Sequence, residues 1–437
     1  MSGMKGVGLQ GVLPIPQRGG ALDDYISRVM SVRPASQLVW QLSDLAGRTA
    51  TEITGKKAAA FDLLDNGGFE TAGAGGADIW AIWAESASVG AIADETVDVH
   101  GGAHAAKLTT GAASGTVIRP CNAASLDHGG GYIEVFPGQS LTLSFWTHGD
   151  GTNASRYSVY DQTNAAWIRT TVTTGVTGIT YTQVNYTFTV PAGCYLLQVT
   201  LWCATTNGAV VYFDDVSLTG DCPYHGLYTA AGMTYGVAGI GDGKLAARFS
   251  GADTGLWIGT KQFGQFFNGN IGSVMSWGRV DGSARWTDAA AYRYLFHSKS
   301  RQDDTVYAVI GKNTTNHQLV WRRRVASLVY EKTYTFSPTG PTTWFCMSFT
   351  WDVSSTPKRC KGYVYAPGHT AFTIVFDEAP TQGNEAWNNA TYTAEGNDVV
   401  LAGGSPTAQE WFGDEYLCAY WAGVALTDAE MQRAMTL

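Results

Sequence analysis

Charge is scarce in this chain of 437 residues: Asp, Glu, Lys and Arg together make up 15%. That excludes a disordered polar chain and a coiled coil, both of which are charge-rich. No apolar run approaches the roughly 20 residues of a membrane-spanning helix. The opening Met1–Gln10 has no apolar core of the kind a secretory leader carries. The sequence therefore predicts synthesis in the cytoplasm without export by the general route. The seven cysteines (Cys121, Cys194, Cys203, Cys222, Cys346, Cys360 and Cys418) are odd in number and contain no CxxC pair. A full disulfide framework is excluded and zinc is disfavoured. Cys194 and Cys203 are spaced to face one another across a hairpin, but buried reduced thiols are the plainer reading. No GxSxG, HExxH or P-loop motif and no plausible catalytic triad occurs. Neither basic enough a segment nor a basic stripe is present to hold nucleic acid by charge.

What the chain has is glycine and aromatics: 53 Gly, 15 Trp, 21 Tyr and 17 Phe, with 45% hydrophobic residues. Glycine for turns, and aromatic and β-branched residues for strands, make a β-sandwich composition. The length allows two or three domains. Short alternating runs follow one another: Leu141–Phe145, Tyr157–Val159, Tyr186–Val190, Leu197–Leu201 and Val210–Leu218. Such spacing predicts sandwiches or jelly rolls. Helices are expected only after Asp23 and Asp24, through Met30, and over Thr427–Met435, where Thr427 and Glu430 form a capping box. Residues 1–21 read as a Gly/Pro-rich arm. Charge is uneven. Asp62 to Cys222 holds 15 acidic and 4 basic residues, while the remainder is nearly balanced at 22 and 24. A step this sharp suggests two modules.

Motifs sharpen that division. Asn66-Gly-Gly-Phe-Glu70 followed by Trp80, Gly101-Gly-Ala-His-Ala-Ala-Lys-Leu108, Pro137 to Trp146, and Asp214-Asp-Val-Ser-Leu218 occur in order. Together they resemble the carbohydrate-binding modules that accompany xylanases and cellulases. The flanking parts resemble the laminin-G-like, concanavalin A-like lectin fold. Its opening is matched by Tyr25–Val29, Val39–Leu42 and Gly47–Ala50, its continuation by Gly226–Tyr228, Gly241-Asp-Gly243, Arg248–Gly251 and Trp344–Asp352, and its close by Phe412 to Ala434. The expected fold is all-β: two jelly-roll β-sandwiches, the second inserted into a loop of the first, with a short N-terminal arm. The expected boundaries are an attachment arm at 1–21, the start of the lectin-like domain at 22–61, the inserted module at 62–222 and the rest of the lectin-like domain at 223–437. Adjacent termini in a jelly roll make such an insertion tolerable.

Sugars are held by flat aromatic faces plus a few planar hydrogen-bonding groups. Alternation places Leu141, Leu143 and Phe145 inward, hence Trp146 outward. It likewise leaves Arg156 and Tyr160 opposite Tyr157 and Val159, and Gln198 and Trp202 opposite Leu197, Val199 and Leu201. If the three strands are neighbours, Trp146, Tyr160, Trp202, Arg156 and Gln198 share one non-core face, with Trp167 at its rim. That face binds a ligand, or it packs against the other domain or another subunit. Trp80 and Trp83 read as core or edge. In the resembled modules a structural Ca²⁺ ties the first strand to the last. The resemblance puts Glu70, Asp214 and Asp215 at its ligand positions, with the Gly102 carbonyl as a further donor. In the lectin-like part most tryptophans read as core, Asp242 and Asp253 as turn residues, and Arg322-Arg-Arg324 as a solvated or interface strand. Concanavalin A-like glycosidases carry a Glu-x-Asp-x-x-Glu strand, which is absent here. Asp414 and Glu415 fall on opposite faces.

Sugar-binding modules without an export signal suit particles released by lysis, and the layout is similar to phage tail-fibre, tail-tip and head-fibre proteins. The expectation is a non-enzymatic virion surface protein binding host-cell glycan. It would contact other virion proteins through its arm and assemble as a homo-oligomer such as a trimer, with no nucleic-acid partner and no membrane insertion. The alternatives are a structural decoration or assembly protein without a sugar ligand and, further off, a glycoside-active enzyme.

Overall fold

The computed structural model describes residues 23–42, 49–50, 52–76, 78–87, 90–112, 116–120, 132–228, 233–250, 256–258, 266–287, 292–300, 307–325, 328–336, 343–383, 397–401 and 411–437. The expected attachment arm, Cys121, Asp253 and Trp387 lie outside these residues. The protein is all-β, with two eight-stranded and two six-stranded sheets among the described residues. The eight-stranded sheets enclose one core and the six-stranded sheets another, forming a large and a small sandwich.

The large sandwich draws strands from both ends of the chain. Gln37–Gln41 pairs antiparallel with Phe412–Ala422, Trp40 opposite Cys418. Thr49–Ala50 pairs with Gly226–Tyr228. Trp40 is fully buried and its Nε1 donates to the Tyr224 carbonyl at 2.7 Å. It packs in one core with Phe249, Trp321, Phe345, Trp351 and Tyr420. The strands from Trp83 to Trp202 belong to the six-stranded sheets instead. Lys57–Asp62 pairs with Val210–Pro223, in the small sandwich, Phe61 opposite Gly220. Yet Ala58, Phe61 and Cys222 pack into the large core. This two-stranded stem therefore serves both sandwiches, one through hydrogen bonds and the other through buried side chains.

The two eight-residue helices lie on the outer face of the sheet that contains Phe412–Ala422. Tyr25 and Val29 of Asp23–Met30, and Met431 and Met435 of Asp428–Met435, bury against Trp277, Leu417 and Trp421. The second helix has the expected capping box, with the Thr427 side chain accepting from the Glu430 N–H. Cys194, Cys203, Cys222, Cys346, Cys360 and Cys418 are free and buried. Burial pushes the thiols of Cys194 and Cys360 up to about 12, so they stay protonated and unreactive at neutral pH.

Asp414 and Glu415 fall on opposite faces of their strand. Asp414 is buried and takes Arg248 at 2.7 Å and Arg279 at 2.5 Å. Glu415 accepts from Ser276 Oγ at 2.6 Å, and its other oxygen is buried with no partner among the described residues. Burial pushes the Glu415 carboxyl up to about 8, against the Ser276 hydrogen bond. The folded state therefore keeps a proton that the unfolded chain releases near 4.5. Glu415 favours the fold fully below that pH, and its contribution is lost as pH rises to about 8. Glu415→Gln keeps an acceptor for Ser276 and removes the titration. It is expected to flatten the fall in the denaturation midpoint between these two pH values. An unchanged slope would show that Glu415 is ionised in the fold.

Candidate functional site

The sheet built on Arg156–Asp161, Leu196–Trp202 and Ala166–Thr173 has an inward face of Tyr157, Val159, Leu197, Val199 and Leu201. Period-two alternation then turns Arg156, Ser158 and Tyr160, and Gln198, Thr200 and Trp202, outward. The register sets Arg156 opposite Trp202, Ser158 opposite Thr200, and Tyr160 opposite Gln198. Tyr160 also faces Trp167 on its other side. Four of the five expected ligand-binding residues, Tyr160, Trp202, Arg156 and Gln198, thus share one face, and Trp167 joins them.

Each is held in place. The Trp202 indole N–H donates to Ser158 Oγ at 2.9 Å, which fixes the plane of the ring. Arg156 Nε donates to the Cys203 carbonyl at 2.9 Å, with its guanidinium carbon 5.9 Å from the Trp202 ring centre. One terminal nitrogen of Arg156 is buried and has no partner among the described residues. Gln198 Oε1 accepts from Gln162 Nε2 at 3.2 Å, so the Gln198 amide N–H groups are directed elsewhere. Trp167 meets Tyr160 edge-on, 4.7 Å between centroids, and is 52% exposed. Ser158 and Thr200 are buried, at 1% and 6% exposure, although they are on the outer face. They form a polar floor between larger neighbours. Tyr160 and Trp202 stand on paired strands four residues apart, roughly 13 Å at strand rise. The face thus has an aromatic group at each end, with amide and guanidinium donors between.

Trp146 is not part of it. Its strand, Ser140–His148, pairs with Thr182–Thr189 and Val210–Pro223 in the opposite six-stranded sheet. The segment after His148 crosses the sandwich rather than turning back as a hairpin, which puts Trp146 on the far side of the core. Its ring is also covered. The His100 imidazole stacks on it at 3.8 Å and 15°, while His100 Nδ1 lies 2.6 Å from Asp215 Oδ2. His100 carries no sequence signal for this role, since it is a loop residue 46 positions away. Trp80 and Trp83 are core residues.

The expected calcium ligands gather around one loop, residues 100–104. Asp214 is fully buried and accepts from the N–H groups of His100 at 2.8 Å, Gly101 at 3.0 Å and Asp215 at 2.7 Å. Burial holds its carboxyl above the usual range against those three donors. Glu70 Oε1 accepts from Ala103 N–H at 2.8 Å and His104 N–H at 3.2 Å. A Cβ on Gly102, at φ +64°, would fall 1.9 Å from that oxygen, so glycine is needed for the close approach. Among the described residues no three His, Cys, Asp or Glu side chains converge as metal ligands. Amide N–H groups turn toward Asp214 and one oxygen of Glu70, and His100 Nδ1 lies against Asp215 Oδ2, where a cation would need further oxygens, so Glu70, Asp214, Asp215 and the Gly102 carbonyl do not fit a calcium ion. The carboxylates instead anchor the loop around residues 100–104. Adding EDTA is expected to leave the thermal midpoint unchanged. A fall of several degrees, reversed by Ca²⁺, would restore the ion.

The large sandwich adds no comparable face among the described residues. Trp277, Trp286, Trp351, Trp411 and Trp421 are fully buried. Asp242 is bonded by Tyr416 Oη and the Lys244 N–H. Arg323 is not solvated: it is fully buried, donating to the carbonyls of Gly383 and Gly269. Arg322 pairs with Glu331 at 2.9 Å and lies 4.5 Å over the Tyr292 ring.

No family model and no curated protein matches the chain. Similar solved structures include the CBM22-1 xylan-binding domain from Paenibacillus barcinonensis Xyn10C, 14% identical over 37% of this chain and 96% of that one, with a TM-score of 0.28. TmCBM61 in complex with beta-1,4-galactotriose is 16% identical over 37% of this chain and 99% of that one, at 0.27. The enzymatically active domain of bacteriophage CBA120 tailspike protein 4 is 16% identical over 36% of this chain and 21% of that one, at 0.26.

Proposed function

We propose that this protein binds an oligosaccharide chain across the outer face that carries Trp202, Arg156, Gln198, Tyr160 and Trp167, and that it does so without cleaving it. The observation that carries this reading is the fixed pair of aromatic ends with hydrogen-bond donors between them. An aromatic ring covers the C–H face of a pyranose, while Arg156 and Gln198 meet its hydroxyls. The spacing of the ends suits a chain of several sugar units. Hydrolysis needs two carboxylates astride the bond. The three strands place none on this face, since Asp161 is buried and held by Asn164 at 2.9 and 2.7 Å.

The biological setting we favour is the surface of a phage particle. There the small sandwich, as an inserted module, presents this face to host-cell polysaccharide while residues 1–21 attach the chain to other virion proteins in a homo-oligomer. Mass spectrometry of purified particles tests the setting: the chain co-purifies with virions, and its absence from them rejects it. A polysaccharide array including xylan, β-1,4-galactan and bacterial surface glycans tests the ligand. Retention on at least one polymer is expected. No retention, with Trp167 and Trp202 buried between subunits, would assign the face to assembly.

A further inference from the structure

A cleft of 620 Å³ opens where the two sandwiches join, on the opposite sheet from the Trp202 face. The stem supplies Lys57, Thr219 and Asp221, the turn before Ser140–His148 supplies Gln139, the strand itself supplies Thr142, and His225 closes one end. The volume is that of an ordinary small-ligand site, about 300–1,000 Å³.

The chemistry of the lining is specific. The Glu52 N–H donates to His225 Nδ1 at 3.0 Å, so that nitrogen carries the lone pair. Burial, and then the nearby Lys57, hold the His225 imidazole below its usual range. The ring is therefore neutral with its hydrogen on Nε2, a donor of fixed position. Phe136 abuts it edge-on at 5.3 Å and 89°, and Gln139 braces Phe136 through its backbone N–H. Thr142 is oriented by Thr187, with 2.9 Å between hydroxyls. The lining holds one cation, Lys57, and one anion, Asp221, which cancel. Hydroxyl, amide and imidazole groups without net charge select a neutral, hydroxyl-rich ligand over an anion. His225, held by Glu52 of the large sandwich, and Thr142 of the small one both line the cleft, so one ligand meets both sandwiches.

We propose that this junction cleft is a second saccharide site, taking the end of a neutral oligosaccharide independently of the Trp202 face. It rests on the reading of the protein as a glycan binder and extends it to a place that no part of that reading uses.

The test is amide and imidazole chemical-shift mapping with xylotriose, β-1,4-galactotriose and cellotriose at millimolar concentration. It uses the full chain, the Trp202→Ala/Tyr160→Ala double variant and Lys57→Ala, whose side chain is exposed and outside both cores. At least one trisaccharide is expected to shift His225, Gln139 and Thr219, and to do so equally in the double variant. Lys57→Ala is expected to weaken that response about tenfold, the worth of one charge-assisted hydrogen bond. The proposal is overturned if none of the three sugars moves these residues, or if their response disappears with the Trp202 and Tyr160 rings. In the full chain, a cleft response with the Trp202 and Trp167 indole signals unmoved would instead count against the proposed function alone.

Discussion

Trp40→Ala is expected to lower the stability of the large sandwich by about 3–5 kcal/mol, the cost of emptying a fully buried aromatic site. The ring is 0% exposed, packs against strands from both large sheets, and bonds the Tyr224 carbonyl at 2.7 Å. Its strand is joined to the last long strand, Trp40 opposite Cys418 and Val39 opposite Ala419. That pairing closes the chain on itself across almost its whole length. A denaturant titration followed by near-ultraviolet circular dichroism measures the loss. The small sandwich has a separate core of Phe145, Tyr157, Val199 and Phe213, and its cooperative transition is expected to persist in the variant. A loss below about 1 kcal/mol, typical of a surface substitution, would show that Gln37–Gln41 does not hold the large sandwich together.

Trp202→Ala is expected to weaken glycan binding about 30- to 100-fold, the range of an aromatic hot spot worth roughly 2–3 kcal/mol. Removing the ring deletes the stacking surface and also frees Ser158 Oγ, to which the indole N–H donates at 2.9 Å. Tyr160→Ala is expected to follow it in direction, because Tyr160 also buttresses Trp167 at 4.7 Å. Trp146→Ala is the informative control. That ring lies across the core and under His100, so its loss is expected to leave affinity unchanged. Calorimetric titration with the best polymer from the array measures all three. Equal losses for Trp146 and Trp202 would place the ligand elsewhere.

Much of this face was legible in the sequence, because alternation along a strand decides which side chains share a side. Leu197, Val199 and Leu201 face inward as the pattern requires, which turns Gln198 and Trp202 outward. What alternation leaves open is the sheet a strand joins. Leu141, Leu143 and Phe145 point into the same core from the other side, so their pattern is the same whether Ser140–His148 lies beside Arg156–Asp161 or across from it. Only long-range pairing with Thr182–Thr189 settles that Trp146 sits opposite. Arg323 is the reverse case. Its period with Leu319 and Trp321 marks an inward position, and the run of three arginines disguised it as surface. At Glu70 and Asp214 the motif gave the right loop, around Gly101 and Gly102, but no sequence rule shows that the loop turns N–H groups toward the carboxylates.

The central claim is best tested by following the indole N–H resonances of the tryptophans while an oligosaccharide from the retained polymer is added. Trp202 and Trp167 are expected to shift together in a saturable manner while Trp146 stays still. Movement of Trp146 with Trp202 and Trp167 unmoved would contradict it.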